Sequence, residues 1–83
     1  MAGAAQTQAY KNLLTALIKL RNDAGLSQAE FAKRIGKPPS FVGKYELGER
    51  RLDVIETMII VERLGLSFEE FWRCSRIKLP ENV

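Results

Sequence analysis

Residues 27–47 read SQAEFAKRIGKPPSFVGKYEL, and the fold follows from how this stretch is punctuated. Ser27 with Glu30 makes a capping box, and Leu26 with Phe31 stands at the positions of a hydrophobic staple, so a helix starts here. Phe31, Ala32 and Ile35 share one inward face, and Gly36 stops the helix after little more than two turns. In Lys37-Pro38-Pro39 the first proline disfavours helix for Lys37, while the second suits a first helical position. A third helix then runs over about 39–47, with Val42 and Tyr45 as core contacts and Gly48 closing it. The segment predicts two short helices joined by a tight turn.

The flanking sequence supplies what these two helices need to pack against. Upstream, Tyr10, Leu13, Leu14, Leu17, Leu20 and Ala24 recur at three- and four-residue steps over 9–24, the pattern of an amphipathic helix that ends at Gly25. Residues 1–8, MAGAAQTQ, show no periodicity and are expected to be a disordered end, leaving 9–73 as the folded domain. Downstream, Asp53 with Glu56 and Ser67 with Glu70 repeat the capping box and open two more helices, the first running through Leu64 to Gly65. Leu66 and Phe71 repeat the staple, and Phe68, Phe71 and Trp72 supply aromatic surface for docking the last helix. Residues 74–83 form a tail. Nothing alternates with period two, so the class is all-α with five helices.

Composition excludes more than it selects. At 83 residues, with 46% hydrophobic and 28% charged side chains, the chain fits one globular domain. Its longest apolar run, 58–61, is far too short to span a bilayer, and its first residues lack a signal-peptide layout, so the reading is cytoplasmic. There is no histidine, and Cys74 is the sole cysteine. That inventory removes a zinc finger, a Cys-His nucleophile and a histidine base, and no metal or cofactor is expected. Glu30, Glu56 and Glu70 are accounted for as capping partners, so an enzyme is not expected either. The net charge of +3 is unevenly spread: residues 33–51 hold six bases against two acids, and the remainder holds seven bases against eight acids. A positive excess confined to one segment points to a surface that meets phosphates.

The run GLSQAEFAKRIG at 25–36, followed by SFVGKYELGERRLDVIE at 40–56, resembles the phage repressor and Cro-like helix-turn-helix family, over roughly residues 17–72. The resemblance rests on three features together: an arginine before the Gly-Leu-Ser-Gln turn, a glutamate ending the third helix, and the Gly-Glu-Arg-Arg loop. It implies a compact, lambda-repressor-like DNA-binding domain with the helix-turn-helix at helices 2 and 3. It also implies that Arg21 pairs with Glu46 to fix the recognition helix, and that the Gln28 amide contacts a DNA phosphate.

The outer face of the third helix carries Ser40, Gly43 and Lys44. Lys44 can donate to guanine O6 and N7, or else touch only phosphate. Ser40 both donates and accepts and discriminates less, and Gly43 would let the helix approach the groove closely. Phe41 has two readings, packing under the 48–52 loop or contact with a thymine methyl, and packing is favoured. Lys37, Arg50 and Arg51 suit phosphate contacts that set register, with plain solubility as the alternative. Pro38 and Pro39 stand where the family often carries a capping hydroxyl and a base-reading side chain, so modest sequence specificity follows.

In the fourth helix Val54, Met58, Val61 and Leu64 are expected to face the core, with Ile60 widening that face. Ile55 and Ile59 sit on a separate flank and, with the tail around Ile77 and Leu79, are expected to help form a two-fold homodimer. Such a dimer would present two recognition helices about 34 Å apart to an inverted-repeat operator in double-stranded DNA. The function expected is a small transcriptional regulator of repressor or controller type. The alternatives are a DNA-binding antitoxin, or a helical protein-interaction adaptor that keeps the fold without reading DNA.

Overall fold

Each helix is bracketed by the signals that the sequence carries. The computed structural model describes residues 7–82, which form α1 (Gln8–Asp23), α2 (Gln28–Arg34), α3 (Ser40–Glu46), α4 (Val54–Arg63) and α5 (Phe68–Ser75). Most of the segment expected to be disordered, residues 1–6, lies outside the described residues. Its last two positions belong to α1: Gln8 is helical, and the Thr7 hydroxyl caps the helix by accepting from the Tyr10 N–H at 3.2 Å. At the other end, α5 includes Cys74 and Ser75, the first two residues of the segment read as a tail.

Ser27, Asp53 and Ser67 each accept from the N–H three residues on, at 2.7–3.1 Å, and the glutamate there accepts from the capping residue's own N–H at 2.8–3.0 Å. The carboxylates thereby satisfy donors that a helix start leaves orphaned. The carboxyl ends of α1 to α4 share one device. After α2, the Gly36 N–H returns to the Lys33 carbonyl and the Lys37 N–H to that of Ala32, the paired bonds of a Schellman motif. Gly36 reaches φ +70°, a left-handed conformation that glycine adopts without a Cβ penalty. α5 ends differently, on Arg76 at φ 55°, with no glycine to mark the stop.

α3 packs against both α1 and α2, and α4 against α5. Leu17, Phe31, Val42, Tyr45, Ile60, Val61 and Phe71 meet in one fully buried core. Leu52 joins them, and its N–H donates to the Tyr10 hydroxyl at 2.9 Å, which ties the loop after α3 to the first turn of α1. The Tyr45 hydroxyl is buried with no partner among the described residues, and burial pushes its ionisation well above the ordinary tyrosine value. The ring's packing must outweigh that cost.

Three expectations are corrected. The buried stripe of α1 is Tyr10, Leu14, Leu17 and Arg21, with Ala24 exposed, because the arginine takes the helical position after Leu17. The buried face of α4 is Thr57, Ile60 and Val61; Val54 and Met58 are 65% and 39% exposed. Thr57 can face inward because its hydroxyl donates to the Asp53 carbonyl at 2.8 Å and brings no unmet polar group with it. In α5, Phe71 alone is buried; Phe68 is half-buried, and Trp72 stacks on it while keeping an exposed edge.

The capping boxes make stability sensitive to acid. The Glu30 and Glu70 carboxyls are held below the ordinary value of 4.5, first by the backbone N–H bonds from Ser27 and Ser67 and then by the serine hydroxyls. A group depressed in the folded state contributes fully above its unfolded value and is lost as pH falls through the folded one. The melting temperature is therefore expected to hold down to about pH 5.5 and to fall below about pH 4.5. Replacing Glu30→Gln together with Glu70→Gln, which keeps a capping side chain, should make that acid limb shallower; an unchanged limb in thermal melts would contradict the assignment.

Candidate nucleic-acid interface

Because Phe41, Val42 and Tyr45 all point into the core, α3 turns a complementary face outward. Ser40 and Lys44 are exposed there, one turn apart, and Gly43 lies half-buried between them. Leu47, 76% exposed, extends that face by a further turn. Leu47 caps the end of the helix, and seven residues from Ser40 is the spacing of one helix face, so helical spacing alone places it there. The Lys44 ammonium makes no hydrogen bond or ion pair among the described residues. Lys33, Arg34 and Lys37 are exposed on α2 and the turn.

α3 has no side-chain cap, since Pro39 occupies that position in helical conformation. Its orientation is set at the other end. Arg21 donates from Nε to Glu46 Oε2 at 2.7 Å and from Nη2 to Glu46 Oε1 at 3.1 Å, while its Nη1 donates to the Leu26 carbonyl at 2.7 Å. The two side chains retain 10% and 6% of their exposure, so this is a nearly buried bidentate pair. The Glu46 bond raises the arginine's pKa and keeps the guanidinium charged against the cost of burial.

Gln28 joins the same carboxylate, its Nε2 donating to Glu46 Oε1 at 2.8 Å. The amide that the resemblance assigned to a phosphate thus serves first as a link between α2 and α3. Gly43 is part of this link: a Cβ built there would stand 3.3 Å from Gln28 Oε1. Its missing side chain makes room for the amide, a role distinct from the close groove approach inferred from sequence.

The remaining candidates divide by what they touch. Phe41 is only 8% exposed and meets Tyr45 edge-on at 5.6 Å between centroids, so packing prevails and little of the ring is left for a base. Lys37 Nζ stands 5.2 Å and the Arg50 guanidinium 4.9 Å from that ring centroid. Arg50 also forms a bidentate pair with Glu56, at 2.9 and 2.8 Å, and this bond pulls the glutamate below 4.5 while raising the arginine. The Arg51 guanidinium lies 4.3 Å from the centre of the Tyr10 ring. The structure therefore brings Ser40, Gly43 and Lys44 together on one face, but engages Gln28, Arg50 and Arg51 within the protein.

A family model described as helix-turn-helix matches residues 17–71, which takes in the brace, the turn and the outward face just described. The chain belongs to the phage repressor and Cro-like helix-turn-helix family. Comparison with curated proteins and with solved structures found no match. Family membership makes the chain a DNA-binding helix-turn-helix regulator with double-stranded DNA as its partner. No helix among the described residues is long and apolar enough to cross a membrane.

The brace gives a direct test. Glu46→Ala strands the Arg21 guanidinium in a nearly buried site and deprives Gln28 of its acceptor, and is expected to cost about 3–5 kcal/mol in urea unfolding. Asp23→Ala breaks the exposed Lys19–Asp23 pair and should cost no more than about 1 kcal/mol. Similar losses for the two variants would rule out the special standing given to the brace.

Proposed function

We propose that the chain is a small transcriptional regulator that acts as a two-fold dimer and lays α3 in the major groove of an inverted-repeat operator. The observation that carries this reading is the outward face of α3, where exposed Ser40 and Lys44 project from a helix packed on α1 and α2 and braced at its carboxyl end. Lys44 reads a base edge, and a guanine offering O6 and N7 is its natural target. Ser40 contributes a contact that tolerates several bases. Lys37 contacts phosphate and sets register, and the remaining donor capacity of Gln28 does the same beside it. With prolines at 38 and 39, few side chains read bases, so sequence specificity is modest.

The exposed apolar side chains of α4 support the dimer. Ile55 is 60% and Ile59 42% exposed, and Val54 and Met58 extend the same surface to its side. Four apolar residues on one helix in water are a recognised mark of an interface. The tail from Ile77 to Leu79 runs near the first turn of α1, where with Trp72, Tyr10 and Leu13 it lines a groove.

Binding of the parent chain to mixed duplex fragments is expected to weaken steeply with salt, since each neutralised phosphate adds about 0.9 to the slope of log K against log salt. On a duplex selected from a random pool, Lys44→Ala should lose roughly tenfold or more, with a smaller loss on mixed fragments. Absent or salt-independent binding would overturn the regulator reading.

Light scattering at micromolar concentration should give twice the 9.4 kDa monomer mass. The double substitution Ile55→Glu and Ile59→Glu should return it to monomer while leaving the helical content intact, because both side chains lie outside the core. A monomeric parent would exclude the dimer.

A further inference from the structure

Arg50 was expected at a phosphate, and its surroundings suit a different task. Its Nη1 donates to Glu56 Oε1 and to the Arg51 carbonyl, and its Nη2 to Glu56 Oε2, so three of its N–H donors are engaged within the protein. The ion pair cancels its charge locally, which leaves little net attraction for a phosphate. Glu56 is held in turn: its Oε1 also accepts from the Asp53 N–H at 3.0 Å, completing the capping box of α4. The carboxylate therefore belongs to the start of α4.

On its other side the guanidinium lies over Phe41, the second residue of α3. The backbone of the loop is tied to the other end of α3, since the N–H groups of Glu49 and Arg50 both donate to the Lys44 carbonyl, at 2.9 and 3.3 Å. α3 begins on Pro39 without a side-chain cap, so its first turn, the turn that carries Ser40, is held by the burial of Phe41 and Val42 and by the cations of Arg50 and Lys37 over the Phe41 ring. Arg21 and Glu46 hold only the opposite end.

We propose that Arg50 is a positioning residue for DNA binding: with Glu56 it clasps the start of α4 to Phe41 and thereby sets the angle of the first turn of α3. The proposal rests on the reading that α3 meets DNA. It makes Glu56, an acid whose carboxylate is taken up by Arg50 and the Asp53 N–H, a requirement for binding. Its prediction also opposes simple electrostatics in sign. If Arg50 served a phosphate directly, Glu56→Gln would remove a competing negative charge and tighten binding. If the clasp positions α3, Glu56→Gln weakens binding, although glutamine still completes the capping box.

The test uses the full chain and a fluorescent duplex selected with the parent from a random pool, read by anisotropy, with circular dichroism showing each variant folded at the assay temperature. Glu56→Gln and Arg50→Lys, which keeps the charge but loses the fork, are each expected to bind roughly five- to tenfold more weakly. The double variant Arg50→Gln with Glu56→Gln should lose no more than Glu56→Gln alone, and Glu56→Gln should retain the parent's salt slope. Phe41→Leu, which keeps the apolar fill and removes the ring, should reproduce the loss without altering any charge.

A Glu56→Gln chain that binds as tightly as the parent or tighter, an Arg50→Lys chain equal to the parent, or additive losses in the double variant would each overturn the clasp while leaving DNA binding intact. A parent chain that binds no duplex overturns the DNA reading, and the clasp with it.

Discussion

The bond between Arg21 and Glu46 is the constraint on which the working surface depends. α3 has seven residues, too few to hold a direction by itself, and its amino end lacks a side-chain cap. A planar guanidinium meeting a carboxylate through two bonds fixes distance and angle together, which a point charge would not. Through the same carboxylate the brace takes in Gln28, and through Nη1 it takes in the Leu26 carbonyl at the entrance to α2. One ion pair thus relates three helices. Its contribution lies in orientation more than in net stability, because desolvating both charges offsets much of their attraction.

Around this brace the protein uses short helices and secures most of their ends, the start of α3 and the end of α5 excepted. Capping boxes satisfy the starts of α2, α4 and α5, and Schellman turns satisfy the ends of α1 to α4. This matters in a chain whose helices span seven to sixteen residues, where every unsatisfied end would be a large share of the whole. The same glutamate can then serve twice. Glu56 caps α4 and receives Arg50, so a local device for starting a helix also joins that helix to the loop that follows α3.

The positive charge of residues 33–51 is not equally available. Arg50 is paired and Arg51 lies against a tyrosine, whereas Lys33, Arg34 and Lys44 are exposed without a carboxylate partner among the described residues. A formal charge count treats these side chains alike; the geometry divides them into a group that builds the interface and a group that faces outward. Gly43 shows the same division at a residue with no charge, since its bare Cα admits the Gln28 amide.

Much of this was legible in the chain itself. Caps, glycine stops and three- to four-residue apolar spacing are local, so the five helices and their ends could be read to within about two residues. The pairing of Arg21 with Glu46 was implied by resemblance, and Ser40 and Lys44 were placed outward by helical spacing alone. Tertiary packing decided what spacing leaves degenerate. In α4, Val54 and Met58 are as apolar as Ile60 and Val61, and only the position of α5 and the core selects the second pair for burial. Likewise the sequence lists Gln28, Arg50 and Arg51 as donors without saying where they donate. Their partners Glu46, Glu56 and Tyr10 lie 18, 6 and 41 residues away, and a contact across such separations exists only once the helices have packed.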